Sequence, residues 1–266
     1  MMPPKGVGFA DPLSMTLTKE TNMNKTFFIF SGTGLALLGI LGTAHAGDTK
    51  PIDPSWKGSV ELGIVTTTGN TDTQTINVKA KAMTERENWR HAMSVEALNA
   101  SDQSNTTAER YVLNGQSDYK FREFNYFFAM VNYEDDRFSG YDYRVSEALG
   151  YGRRVIHKEA LTLDLEIGPG GRQSKLSGTG QNQDEVTLRG AAKLAWKISD
   201  TSSFTEDLTS EVGEDATITK SVSALTAQIN GSLATKITYT VKNTSDVPVG
   251  VEKTDTITAV TLVYSF

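Results

Sequence analysis

After residue 55, apolar and polar side chains alternate with a period of two, and helical periodicity is nearly absent. In "ALTLDLEIG" (160–168), Leu161, Leu163, Leu165 and Ile167 share one face, and Thr162, Asp164 and Glu166 the other. "EVTLRGAAKLAWKIS" (185–199) continues the pattern. Val186, Leu188, Leu194, Trp196 and Ile198 oppose Thr187, Arg189, Lys193 and Lys197. Segments like these are β-strands that need an apolar medium on one side only. Marking each run predicts about twelve strands, at 56–67, 72–84, 88–100, 108–120, 124–135, 142–155, 160–168, 185–198, 202–212, 217–229, 232–243 and 254–266. Alternation is less clean in 142–155 and 202–229.

The connections predict the topology. "EREN" (85–88), "FREF" (121–124), "IHKE" (156–159), "SDTS" (199–202) and "ING" (229–231) are short. Between them fall "ASDQSNTT" (100–107), "DDRFSGYD" (135–142), "GPGGRQSKLSGTGQNQDE" (168–185) and "NTSDVPVGVEK" (243–253), with tighter turns at "TTGN" (67–70) and "GEDA" (213–216). Short turns on one rim and longer loops on the other give an all-β, antiparallel up-and-down transmembrane β-barrel with short periplasmic turns and longer outer loops. An even strand number puts both ends on the periplasmic rim.

A closed barrel can be apolar inside or outside. The polar face carries Glu61, Lys79, Lys81, Arg90, Glu96, Arg110, Asp118, Lys120, Asp164, Glu166, Arg189, Lys193 and Lys197, the expected lumen lining. A soluble barrel would hold these in water and fill its interior with the apolar set. About eight strands is the size that side chains just fill, so twelve favour apolar-out. Slipping 185–198 by one residue would turn Arg189, Lys193 and Lys197 to lipid, at roughly 2–4 kcal/mol each near the midplane. Trp56, Trp89, Tyr126, Phe127, Tyr133, Phe138, Tyr141, Tyr143, Trp196 and Tyr264 fall mostly near strand ends, as girdles at headgroup level would.

Residues 1–46 stand apart. "MNKTFFIFSGTGLALLGILGTAHA" (23–46) has a basic start at Lys25, an apolar run and a small-x-small end at Ala44 and Ala46. This reads as a cleaved secretory signal peptide. Residues 1–22 read as a spurious N-terminal extension, leaving 47–266 as the barrel domain. Of 26 basic residues, Lys5, Lys19 and Lys25 lie in 1–46, leaving 23; Asp11 and Glu20 leave 30 of 32 acidic ones, a net charge of −7. That balance argues against nucleic acid as a partner. The chain has no cysteine, so no disulfide framework is available.

Chemistry-bearing motifs are sparse. The only histidines after residue 46 are His91 and His157. Neither has an obvious serine partner in sequence, and the His157 turn on the periplasmic rim is badly placed for outer-leaflet lipid. An outer-membrane lipid hydrolase is therefore the weaker alternative, and no catalytic residues and no enzyme are predicted. The glycine-rich "GPGG" and "SGTG" follow no phosphate-loop spacing and read as loop flexibility. No zinc pattern or cofactor motif is present. Asp135, Asp136 and Asp142 could together take a divalent cation, though carboxylates without a spaced loop are unspecific. In "TTGNTD" (67–72), Gly69 and Asn70 suit a two-residue hairpin turn; a surface recognition role is the alternative.

The last nine residues, "TAVTLVYSF", place Val260, Leu262, Tyr264 and Phe266 on one face, and the chain ends on an aromatic ring. This ending resembles the C-terminal signal by which the outer-membrane barrel assembly machinery recognises its clients. "ELGIVTTTGNTDTQTINVKAKA" (61–82) and "NYEDDRFSGYDYRVSEALGYGRRV" (132–155) resemble the YdiY-like family of salt-induced outer-membrane proteins. The resemblance spans nearly all of 56–266. It implies a barrel in contact with outer-membrane lipids and lipopolysaccharide, and a link to salt or osmotic stress; it supplies no catalytic residues. The lumen is left with two readings: a narrow aqueous path, or a wall whose charges pair and seal it.

Overall fold

The computed structural model describes residues 56–68, 73–102 and 105–266. The leader with Ala44 and Ala46, and the Gly69–Asn70 turn, lie outside the described residues. Twelve strands follow in order: β1 (Trp56–Thr68), β2 (Thr73–Glu85), β3 (Trp89–Asp102), β4 (Asn105–Arg122), β5 (Asn125–Asp136), β6 (Tyr141–Lys158), β7 (Leu161–Leu176), β8 (Asn182–Lys197), β9 (Ser202–Gly213), β10 (Thr217–Gln228), β11 (Leu233–Thr244) and β12 (Thr254–Ser265). Each pairs antiparallel with its neighbours in sequence, and β1 pairs with β12 to close the barrel. Closure leaves no free edge, so backbone groups need no lipid-side partner.

The seam between the two ends is set by register. Leu62 faces Leu262, Val60 faces Tyr264, and Phe266 exchanges both backbone bonds with Gly58 at 2.9 and 3.0 Å. The Phe266 ring lies over Gly58; a Cβ there would meet the ring Cζ at 2.6 Å. The terminal aromatic is thus the last rung of the ladder.

Apolar side chains point outward. Leu62, Val95, Leu113, Val131, Leu149, Ile167, Leu188, Leu208, Ile237, Val260 and Leu262 are all exposed, while Glu61, Arg110, Asp118, Asp164, Glu166, Arg172 and Arg189 are buried. A barrel with that polarity is stable only with hydrocarbon around it. Among the aromatics expected at the girdles, Tyr126 and Tyr141 depart: both are buried inside. Tyr126 and Phe128 of β5 pack there with Met130 and Ala148, so β5 is apolar on both faces and its alternation could not tell in from out.

Several expected loops are strand. β7 continues through "GPGGRQSKL" to Leu176 and β8 begins at Asn182, leaving only 177–181 between them. The glycines are needed because β6 runs close: a Cβ on Gly170 would stand 2.5 Å from the Glu147 carbonyl, and one on Gly168 would fall onto the Leu149–Gly150 backbone. The expected 100–107 loop is likewise taken up by pairing out to Asp102 and Asn105, with a bulge at Ala100/Ser101. Of the expected long outer loops, only 245–253 remains long. It folds inward. A Cβ on Gly140, in the β5–β6 turn, would meet Pro248 and Val251 at 3.0 and 3.1 Å. Strands β5 and β11 stand on opposite sides of a twelve-strand ring, so this loop crosses the mouth.

Candidate functional site

The inner wall is built by alternate residues of every strand, and its charges form three groups. The first surrounds Glu166, on β7. Its side chain is fully buried and accepts hydrogen bonds from Lys193 (2.7 Å), Gln116 (2.9 Å), Arg189 (3.0 Å) and the Tyr126 hydroxyl (3.0 Å). Lys193 also reaches the Gln116 carbonyl oxygen at 2.8 Å, joining β8 to β4. Beside this hub, Arg154 donates to Asp164 at 2.7 and 3.0 Å. Arg90 donates to Asp118 at 2.7 Å and touches Asp164 at 3.4 Å, joining β3 to β7. Arg90 lies over the Tyr126 ring and Arg189 over the Phe128 ring, at 5.1 and 5.4 Å. Both rings sit in slots made by glycine. A Cβ on Gly150 would stand 2.7 Å from Phe128, and one on Gly152 would collide with Cε2 and Cζ of the Tyr126 ring.

The second group lies on the β1–β5 and β11 side. Glu61 accepts from Lys236 at 3.0 and 3.1 Å, with Lys81 at 3.5 Å. Glu96 bridges Lys79 (3.1 Å) and Arg110 (2.9 Å). Glu134, on β5, takes both its bonds from Lys242 of β11, at 2.7 and 2.9 Å. That ion pair spans opposite walls. The third group sits high on the wall. Arg172, almost wholly buried, donates to Glu185 at 2.7 Å and to the Ala216 carbonyl, and lies 3.8 Å from Glu211. Ser146 donates to Glu211 at 3.0 Å.

Glu61, Lys79, Arg90, Glu96, Arg110, Asp164, Glu166, Arg189 and Lys193 therefore all stand within these bonded groups. Lys197 does not. It is half-exposed at the rim and bonds Asp200 in the β8–β9 turn at 2.7 Å, which holds the Asp200 carboxyl below its ordinary range. Sequence reading missed Tyr126, Arg172, Glu134, Lys220, Lys236 and Lys242. The usable signal was alternation within β11, where Lys236 and Lys242 share parity with Ala234, Thr238, Thr240 and Thr244; in β10 the parity of Lys220 also carries Ile218 and Val222 and gave no such signal.

Two expectations about chemistry need revision. His91 does have a serine partner: its Nδ1 is 2.9 Å from the Ser117 hydroxyl on β4. The pair lies on the outer wall with Trp89 stacked on the imidazole at 5.6 Å. An aromatic ring rather than a carboxylate orients it, so the pair reads as a satisfied cross-strand contact. Asp135, Asp136 and Asp142 do not converge. Asp136 accepts the Phe138 N–H at 3.1 Å within its own turn, and Asp142 pairs with Lys175 and Ser177 at 3.2 and 3.0 Å. Among the described residues no group of His, Asp or Glu could hold a metal ion.

The lipid side is not wholly apolar: exposed Glu147 of β6 stands opposite Val131, and a second carboxylate lies on β9. Glu206 of β9 shares its face with Leu208 and Val212 and bonds two hydroxyls of β10, Ser221 at 2.6 Å and Ser223. Ser210 and Thr219 pair on the same face at 3.1 Å. These residues are why the alternation of 202–229 is imperfect.

A closed twelve-strand wall, apolar outside and charged within, defines an outer-membrane β-barrel of the porin-like kind. Its residues 60–266 match the family described as "Protein of unknown function, DUF481", and the chain belongs to that family. It is 28% identical over 213 residues to the protein YdiY of Escherichia coli (strain K12), covering 79% of this chain and 83% of that one. Among solved structures, the NanC porin aligns with a TM-score of 0.54 at 9% identity, over 77% of this chain and 98% of that one. An outer-membrane channel from Pseudomonas putida F1 aligns with a TM-score of 0.51 at 10% identity, over 84% and 100%. At such identities the likeness is one of fold, and that fold is one used by non-catalytic porins and channels.

Proposed function

We propose that this protein is a narrow, charge-lined pore of the outer membrane, closed at rest by side chains and by one loop. The observation that carries the reading is the Lys242–Glu134 ion pair between opposite walls, beneath a loop, 245–253, that crosses the mouth. Arg90–Asp164 and Lys193–Gln116 tie distant strands at another level. Bridges of this kind narrow the lumen. They also give a physical basis for the salt link that family resemblance suggests. Charges on a wet inner wall are screened as salt rises, the Debye length falling from about 10 Å at 0.1 M to about 3 Å at 1 M. Osmotic shock would thus loosen the closed state.

The same barrel is proposed to use Val260, Leu262, Tyr264 and Phe266 as its assembly signal, with outer-membrane lipids and lipopolysaccharide around it. All four side chains are half-exposed on the outer wall at the closing seam, where an assembly factor could read them before closure.

The test is single-channel recording in planar bilayers at 0.1 and 1 M salt. Wild type is compared with Glu134→Gln/Lys242→Gln and with a shortened 245–253 loop. Larger or more frequent openings in both variants, and in wild type at high salt, are expected. Silence of all three proteins at every voltage would instead leave a sealed structural barrel.

A further inference from the structure

Most cations of the inner wall touch a carboxylate; among the described residues, Arg144 and Lys220 within the barrel do not. Arg144 of β6 is 7% exposed, lies over the Tyr141 ring at 4.2 Å, and makes no ion pair among the described residues; its Nε–H has no acceptor. Lys220 of β10 also makes none, and it stands directly across the ladder from Lys242. Like charges so placed repel. Both belong to one cluster: Lys242, Arg110, Arg144 and Lys220 are all electrostatic neighbours of Glu134. Glu134 already binds Lys242 through both oxygens, and Glu96 is shared by Arg110 and Lys79. The Arg110 Nε–H is buried without an acceptor as well. Asp136 and Asp255 also face Arg110, but Asp136 is engaged with its own turn and Asp255 stands across the ladder from Lys242 and has a partner of its own. Four cations from four strands thus converge just below the loop-covered mouth, and two of them, Arg144 and Lys220, make no ion pair among the described residues: Arg144 stands directly across the ladder from Glu134, but both oxygens of that carboxylate are already bonded to Lys242.

We propose that Arg144 and Lys220, flanked by Arg110 and Lys242, bind an oxyanion, the phosphate or carboxylate group of a small solute. A buried guanidinium whose neighbouring carboxylate is already bonded to another cation is incompletely compensated, and water can accept its N–H bonds without neutralising it. The planar fork of arginine matches a two-oxygen acceptor better than a spherical halide, and the lysine supplies a second, movable charge. The site rests on the pore reading in one respect: the anion must reach it through the lumen. Passage would then favour anions, although the domain as a whole is acidic.

The experiment is isothermal titration of the refolded barrel in detergent with inorganic phosphate at constant ionic strength. It is repeated with Arg144→Gln, Lys220→Gln and, as a rim control, Lys197→Gln. Heat-dependent gel mobility checks folding, and Lys220→Gln, the less buried position, carries the test if Arg144→Gln misfolds. Saturable binding is expected, weakened at least tenfold by either lumen substitution and unchanged by Lys197→Gln. Reversal potentials in bilayers should shift from anion-selective toward unselective in the double variant. Phosphate binding that is absent, or equal in all variants, overturns the site. Conductance without binding would leave the pore and remove the site; binding without conductance would do the reverse.

Discussion

Replacing Glu166 with glutamine removes one negative charge and keeps the shape of the hub. In the folded barrel the Glu166 side chain has no solvent exposure, and the Arg189 side chain has 4%. Arg189 and Lys193 approach it at 3.0 and 2.7 Å. At an effective dielectric of about 20, each contact carries an attraction on the order of 5 kcal/mol, largely offset by desolvation. Removing one partner of a buried pair leaves the other uncompensated, a loss of about 3–5 kcal/mol. Glutamine still accepts one hydrogen bond, so the lower end, about 3 kcal/mol, is expected; that is roughly a hundredfold in the folding equilibrium. Glu166→Gln/Arg189→Met should recover part of the loss, because the buried orphaned charge goes too, while Lys193, more exposed, keeps its bond to Gln116. The assay is reversible urea unfolding of the barrel in lipid vesicles, followed by tryptophan fluorescence. A loss under about 1 kcal/mol, or two substitutions that simply add, would refute the argument by placing Glu166 in bulk-like water.

Three further outcomes test other parts of the wall. Gly150→Val should overpack the β5–β6 slot against Phe128 and the Ile167 carbonyl, lowering stability by more than the usual 1–3 kcal/mol of a tolerated overpacked site, as read by the same unfolding assay. Glu206→Leu should stabilise the barrel in thick-chain vesicles by about 1–2 kcal/mol, since it removes a lipid-facing carboxylate; destabilisation would mean that the Ser221 and Ser223 bonds outweigh its desolvation. Phe266→Ala uncovers Gly58 at the seam and should lower the fraction of heat-modifiable, folded protein, whereas Asp200→Asn, at an exposed turn, should leave the unfolding midpoint unchanged.

What could be read in the linear chain follows from period. Side chains alternate on a strand whatever surrounds it, so "ALTLDLEIG" and "AVTLVYS" declare strand and face together, and the fixed cost of a charge in lipid settles which face is inside. Strand number, pairing order and the polarity of the wall came from that local rule. The glycines of "GPGG" defeated it, because glycine signals a loop in isolation. Here it was instead the requirement of close approach by β6, a strand that only the closed sheet brings alongside. β5 was mute for a related reason: its inner aromatics fill slots left by Gly150 and Gly152 on its neighbour. Parity could likewise place Lys242 and Glu134 on the inner wall but could not say that they meet, since they lie 108 residues apart on opposite sides of the ring. Which charges form ion pairs, and which among the described residues do not, is decided by barrel closure and shear. Those set distances across the lumen that no period in the sequence encodes.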